Sequence, residues 1–311
     1  MLIHFSSLIF PCLFLLSPAT AQVTPPGPFH RTIAFVSDTQ APMWVETIFL
    51  RSNHNTEATA LVFGEIQRQR PDDLFLLGDV VNLGCKNNRW MAVDGYLQRA
   101  RSEGISVFGI LGNHDVMTRP KAGIKNFQER FPDHRETGYD VEIDSIAVIL
   151  LNSNFKTLSA EQKETQNRWY ESTLNSLEKS PAVKVIIVCC HHAPYSNSKI
   201  VGSSGPVQEN FVPAFLRSKK SILFISGHAH AFEHFQKEGK DFLTIGGGGG
   251  LHQPLRVGKK SIPDLAKDYK PMFHFLQMKL NGNRLQIISR RLTEDFKGFE
   301  DGLSFGIDLP H

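Results

Sequence analysis

The chain reads as an α/β protein whose first part builds a parallel sheet. Three observations predict this. Short runs rich in β-branched and aromatic residues alternate with amphipathic helical segments between Thr32 and Leu111. Each run stops abruptly in a polar cluster, as strands do at the carboxyl edge of an open sheet, where α/β proteins bind ligands. The last part carries further strand-like runs, two of which flank Asn281-Gly282-Asn283, a hairpin signal.

Thr32–Val36 is a β-type run that ends at Ser37-Asp38-Thr39-Gln40. After a loop containing Pro42 and Trp44, a helical pattern begins at Thr56. It runs through Leu61, Val62, Glu65 and Ile66 and stops before Pro71. Asp73–Leu77 is the second strand, closed by Gly78-Asp79-Val80-Val81-Asn82, and Trp90–Arg101 is helical again, with Gly104 as its stop. The apolar run Val107–Leu111 then leads into Gly112-Asn113-His114-Asp115. Lys121–Arg135 is a polar, partly helical excursion. Tyr139–Ile143 and Ile146–Leu151 read as strands joined at Asp144-Ser145, followed by a polar helix over Ala160–Leu177. Val183–Cys190 is a nearly continuous apolar strand that ends in His191-His192-Ala193-Pro194-Tyr195. A Gly/Ser loop over 202–205 precedes a short helix near Phe211–Arg217, and the strand Ser221–Ile225 ends in Ser226-Gly227-His228-Ala229-His230. Phe232–Gln236, Phe242–Ile245, Met272–Lys279 and Leu285–Arg290 read as antiparallel strands. No internal repeat or low-complexity linker divides residues 31–311, which are read as one domain.

With 311 residues, 41% of them hydrophobic, the chain can bury a large core. A net charge of +3, with acids and bases mixed throughout, carries no nucleic-acid-binding signature. Residues 1–21 are set aside as a cleaved signal peptide. The apolar stretch Leu8–Leu16 is too short to span a membrane comfortably, and Ala19 and Ala21 place cleavage before Gln22. The n-region has His4 but no Lys or Arg. The mature chain is therefore expected to be exported, periplasmic or secreted, without a stable membrane span. Residues 22–30, rich in proline, read as an extended lead-in. Cys85, Cys189 and Cys190 remain after cleavage; an odd count argues against a disulfide framework.

The polar strand ends collect Asp38, Asp79, Asn113, one of His191 and His192, His228 and His230. Gly-Asn-His-Asp alone suits a tight turn, but carboxylates, imidazoles and an amide oxygen are together a ligand set for Zn, Mn or Fe. They are too many for one tetrahedral ion and enough for a pair sharing one carboxylate. At these residues the chain resembles the calcineurin-like metallophosphoesterase superfamily, which includes the purple acid phosphatases. The resemblance rests on Asp38-x-Gln40, Gly78-Asp79, Gly112-Asn113-His114-Asp115, His191-His192-Ala193-Pro194 and Gly227-His228-Ala229-His230, in that order, and extends over roughly residues 32–245.

The resemblance implies a four-layer α-β-β-α sandwich of two mixed sheets, with the metal site at the carboxyl edges of the strands. It also implies two divalent or trivalent ions (Fe, Mn or Zn) and hydrolysis of a phosphate ester, monoester or diester, by a metal-bound hydroxide. Asp79 would bridge the ions, Asp38 and His230 bind the first, and Asn113, His228 and His191 the second. His192 is the alternative if the His-x-Pro spacing sets the register. His114 would protonate the leaving oxygen. Two departures stand out. Gln40 replaces the His of many members' Asp-x-His and would bind through its amide oxygen, as in branches with Asp-x-Gln. Asn82 stands where purple acid phosphatases have Tyr and protein phosphatases Asp, which argues against a tyrosinate-coloured site and removes the usual orienter of His114. These two residues support a rival reading, a catalytically idle protein that binds a metal and a phosphorylated ligand on the same fold.

Other features get no catalytic role. Gly246–Gly250 lacks the sequence context of a nucleotide-binding loop and reads as a loop passing close under the site. Trp44, Trp90 and Trp169 read as anchors; His54, His134, His234 and His252 read as structural or solvated. The 202–205 loop with Lys199 could line the substrate mouth. Substrate identity and oligomeric state are left open by the sequence.

Overall fold

The computed structural model describes residues 31–309; the expected signal peptide and the whole lead-in fall outside this range. The order begins β1 (Thr32–Val36), α1 (Asn55–Gln69), β2 (Asp73–Leu76), α2 (Asn87–Ser102), β3 (Ser106–Gly109) and α3 (Pro120–Gln128). It continues with β4 (Tyr139–Ile143), β5 (Ile146–Leu151), α4 (Ala160–Lys179), β6 (Val185–Cys190), α5 (Gly205–Asn210) and α6 (Val212–Arg217). The remaining strands are β7 (Ser221–Ser226), β8 (Phe232–Lys237), β9 (Lys240–Ile245), β10 (His274–Asn281), β11 (Arg284–Leu292) and β12 (Phe299–Asp308).

Two six-stranded sheets result, ordered β12-β11-β10-β1-β2-β3 and β4-β5-β6-β7-β9-β8. In the first, β1, β2 and β3 are parallel, and β10 joins β1 antiparallel. In the second, β5, β6, β7 and β9 are parallel, with β4 and β8 antiparallel at the edges. Every residue of β5 and β6 is buried, which explains their nearly continuous apolar sequence. Alternate residues of these strands face opposite layers. Val148, Leu150, Ile187 and Cys189 meet Phe35, Phe75, Leu276 and Ile287 of the other sheet. Ile149, Leu151, Val188 and Cys190 pack instead under Tyr170, Leu174 and Leu177 of α4 and Phe211 and Phe215 beside it. On the far side, α1, α2 and α3 cover the first sheet through Val62, Ile66, Trp90, Leu97 and Phe127. The molecule is a four-layer α-β-β-α sandwich.

The sequence reading departs from this structure in four places. Gly205 begins α5, not a loop, with Pro206 in the first turn, where its missing N–H costs nothing. β9 pairs parallel with β7 as well as antiparallel with β8. β12 carries no clear strand signal, because its glycines and charges lie on a half-exposed edge strand with a bulge opposite Ile288–Arg290. Trp44 anchors nothing: it is 79% exposed.

Candidate metal centre

The carboxyl ends of β1, β2 and β3 in one sheet and of β6 and β7 in the other deliver the site. Asp38, Asp79 and His228 take left-handed backbone conformations, with φ of 60°, 49° and 66°, so each turns sharply off its strand. Such conformations cost non-glycine residues energy and cluster at functional sites. Their hydrogen bonds hold them there. Asp38 accepts the main-chain N–H of His228 (2.9 Å) and Asp79 that of His114 (2.7 Å). Gly227 and Gly112 allow these approaches, since a Cβ at either would collide with the Asp38 or Asp79 carboxylate.

Among the described residues, two groups of carboxylates and imidazoles converge: Asp79, His191 and His228, and Asp38, Asp79 and His230. Within each group the ligand atoms lie within 4.8 Å of one another. Asp79 belongs to both. His191 lies in the first group and His192 in neither. His191 is fully buried; its Nδ1 sits 2.9 Å from the Leu77 carbonyl, and its Nε2 faces Asp79 Oδ2 and Asn113 Oδ1, each 3.2 Å away. His230 repeats the pattern, with Nδ1 2.7 Å from the Leu251 carbonyl and Nε2 3.3 Å from Asp38 Oδ1. A carbonyl holding Nδ1–H leaves Nε2 as the free ligand atom. His192 packs its ring against His228 and exchanges hydrogen bonds with Ser153, 2.8 Å from its Nδ1.

Gln40 is buried at the same place. Its amide nitrogen donates to the main-chain carbonyls of Asp79 (3.0 Å) and Asp38 (3.2 Å), which turns the oxygen towards His230 Nε2, 3.3 Å away. The neutral residue thus presents its amide oxygen to the site.

The electrostatics suit cations. Burial would raise the Asp79 pKa, but His191 and His114 beside it hold it well below the usual carboxylate range. Burial opposes charging of His191, yet Asp79 raises its pKa to about 9, and Asp38 likewise raises that of His230 despite burial. The carboxylates draw protons into positions that a divalent cation would fill. Burial and neighbouring imidazoles push His192 down to about 3 and His228 well below its ordinary value. Oxygen and neutral imidazole donors in this number fit borderline-hard divalent ions.

His114 is buried at the rim. Its Nδ1 lies 3.3 Å from the main-chain carbonyl of Asn82, so orientation comes from the backbone at 82, whatever the side chain there. Its Nε2 points into the site, 3.9 Å from Asp79 Oδ2 and 3.7 Å from Glu46 Oε1. Sequence reasoning missed Glu46, which opens a one-turn 3-10 helix (Glu46–Ile48) too short to show periodicity. It also gave no role to Asp115, whose oxygens accept N–H groups of Val80, Val81 and Gly112 at 2.8–3.2 Å and clamp two ligand loops together. The five glycines 246–250 lie directly under the site: a Cβ at any of them would strike Ala229, His274, Ser37, Thr59 or His230.

The family model for calcineurin-like phosphoesterases matches residues 31–232. The chain belongs to the calcineurin-like phosphoesterase family. No curated protein sequence matches it. Among solved structures it is similar to a purple acid phosphatase from yellow lupin seeds, with a TM-score of 0.68 and 14% identity, covering 89% of this chain. The chain spans about half of that protein, 53% of its length. It is similar to GAP50, the anchor in the inner membrane complex of Plasmodium (TM-score 0.67, 17% identity, 91% of this chain and 90% of that one). It is also similar to a dimetal phosphatase from Danio rerio (TM-score 0.56, 14% identity, 91% and 100%). These likenesses extend the shared fold past the 31–232 match and into the C-terminal strands.

Proposed function

We propose that this calcineurin-like phosphoesterase works with a dinuclear centre and that Asp79 bridges the two ions. The observation that carries the reading is the membership of Asp79 in both ligand groups. Asp38, Gln40 and His230 would hold the first ion; Asn113, His191 and His228 the second. Ions held there supply an activated water and neutralise phosphoryl oxygens. The chain's own part in the reaction falls to His114. Its Nδ1 is tied to the Asn82 carbonyl, and its Nε2 faces the site, placed to give a proton to the departing ester oxygen. Glu46 Oε1 lies 3.7 Å from that nitrogen.

The rival reading, an idle binding protein, draws on Gln40 and Asn82. Both keep a working arrangement here, one through its amide oxygen and the other through its main-chain carbonyl, which supports the enzyme. Residues 1–21 are proposed to direct export, with cleavage before Gln22; N-terminal sequencing of secreted protein tests this. The described residues contain no helix long and apolar enough to cross a membrane.

The deciding experiment is metal content per chain together with hydrolysis of p-nitrophenyl phosphate and its bis ester. Close to two ions and metal-dependent turnover are expected, with the preferred ester giving the substrate class. Asp79→Asn and His114→Ala should each lower turnover by at least about a hundredfold while the far-ultraviolet circular dichroism is unchanged. One ion or none with no turnover, or wild-type rates in both variants, overturns the proposal.

A further inference from the structure

A cavity of about 290 Å³ opens onto Asp79, Asn113, His114, His228 and His230. Its outer wall comes from two loops: Phe49 and Leu50 on one side, Ile200 and Val201 on the other, with Glu46 and Gln253 between the wall and the ligands. Phe49 is 80% exposed and Ile200 53%. Trp44, Val45 and Ile48, in the same loop as Phe49, are exposed too, so apolar exposure concentrates at this mouth. Large exposed apolar side chains gathered at a concave site mark a binding surface. No Lys or Arg lines the cavity, and apart from Asp79 its one carboxylate is that of Glu46.

We propose that the site selects phosphate esters whose ester group is a small apolar one, aryl or short alkyl, seated between Phe49–Leu50 and Ile200–Val201. The inference rests on the phosphoesterase reading above and specifies its leaving group. On hydrolysis the phosphorus–oxygen bond to that group breaks. Water leaves its hydroxyl on phosphorus, and the apolar alcohol departs carrying the proton. Apolar walls gain when such a group displaces their water. A leaving group bearing further phosphates finds no cation among the lining residues and meets Glu46 instead. The ions attract any phosphoryl group equally, so discrimination falls to these four side chains and to Glu46.

The test uses phosphonates, whose phosphorus–carbon bond is not hydrolysed, so binding is read without turnover. Calorimetry on Mn-loaded protein compares methyl-, propyl-, hexyl- and phenylphosphonate. Each half-buried methylene should tighten binding about twofold, so hexylphosphonate should bind about 30-fold tighter than methylphosphonate. The double variant Phe49→Ser, Ile200→Ser changes two exposed residues, so the fold is kept, and it should cut that ratio to below about fivefold. Equal affinities across the series, a steep series that survives in the double variant, or no phosphonate binding at all would each overturn the proposal. A steep series without any hydrolysis of p-nitrophenyl phosphate refutes the enzymatic reading alone and supports the apolar subsite.

Discussion

Asp115 carries more of the site than its position at the end of Gly-Asn-His-Asp suggests. One oxygen accepts the N–H groups of Val80 and Val81 and the other that of Gly112, so a single carboxylate fixes the loops bearing Asp79 and Asn113. Burial, and Asp79 beside it, raise its pKa, while three N–H donors favour its ionised, acceptor-only form. Asp115→Asn must set an NH2 against one of those donors. The expected cost is about 1–3 kcal/mol in urea unfolding of metal-free protein, with weakened metal retention; unchanged stability would refute the clamp. Residues of this kind are illegible in the sequence because a turn-former and a clamp have the same spelling. The residues that converge at the centre were legible for the opposite reason. Asp38, Asp79, Asn113 and His228 interrupt apolar strands where a polar group is costly without a partner. The His191–His192 ambiguity needed the strand's phase, which places the Nε2 of His191 beside Asp79.

At the scale of elements, legibility follows burial. β1, β4 and β5 fall on the residues where the sequence places them, because their apolar runs are bounded by polar turns. β12 and α5 escape because a half-exposed edge strand and a one-turn helix need little apolar sequence. The mouth of the site is the least legible element, since Glu46 stands on a one-turn 3-10 helix and Phe49 and Ile200 on irregular backbone. α4 shows what local sequence alone can specify. Ser159 caps it through a reciprocal pair with Gln162: its hydroxyl accepts the Gln162 N–H at 3.1 Å, and the Gln162 side chain accepts the Ser159 N–H at 2.9 Å. Ser159→Ala should cost about 1 kcal/mol. That is a drop of about 2 °C in thermal midpoint with metal loading untouched, read by calorimetry alongside metal content. Lost metal would show that the cap reaches the site.

For the whole molecule, the notable fact is that neither sheet owns the centre. Asp38, Gln40, Asp79 and Asn113 come from the sheet of β1–β3, and His191, His228 and His230 from the sheet of β6 and β7. Metal bound there would pin the two sheets' edges together as well as serving chemistry. Stripping metal with a chelator should lower the thermal midpoint by several degrees, and readdition should restore it. At a free metal concentration a hundredfold above Kd, the linkage is worth about 2.7 kcal/mol. A midpoint indifferent to metal would mean that the ions bind without coupling to the fold.

The place of β1 has a consequence for how the chain is made. Thr32 pairs with Lys279, and Phe35 with Leu276, although among the described residues β1 is the first strand in the chain and β10 the tenth of twelve. Through most of synthesis this apolar strand has an open edge, and Asp38 waits for His230 from the far part of the chain. An early strand with a late partner is exposed to wrong pairing. The whole set from Asp38 to His230 lies before β10, so these side chains are all synthesised while the edge of β1 still lacks its partner.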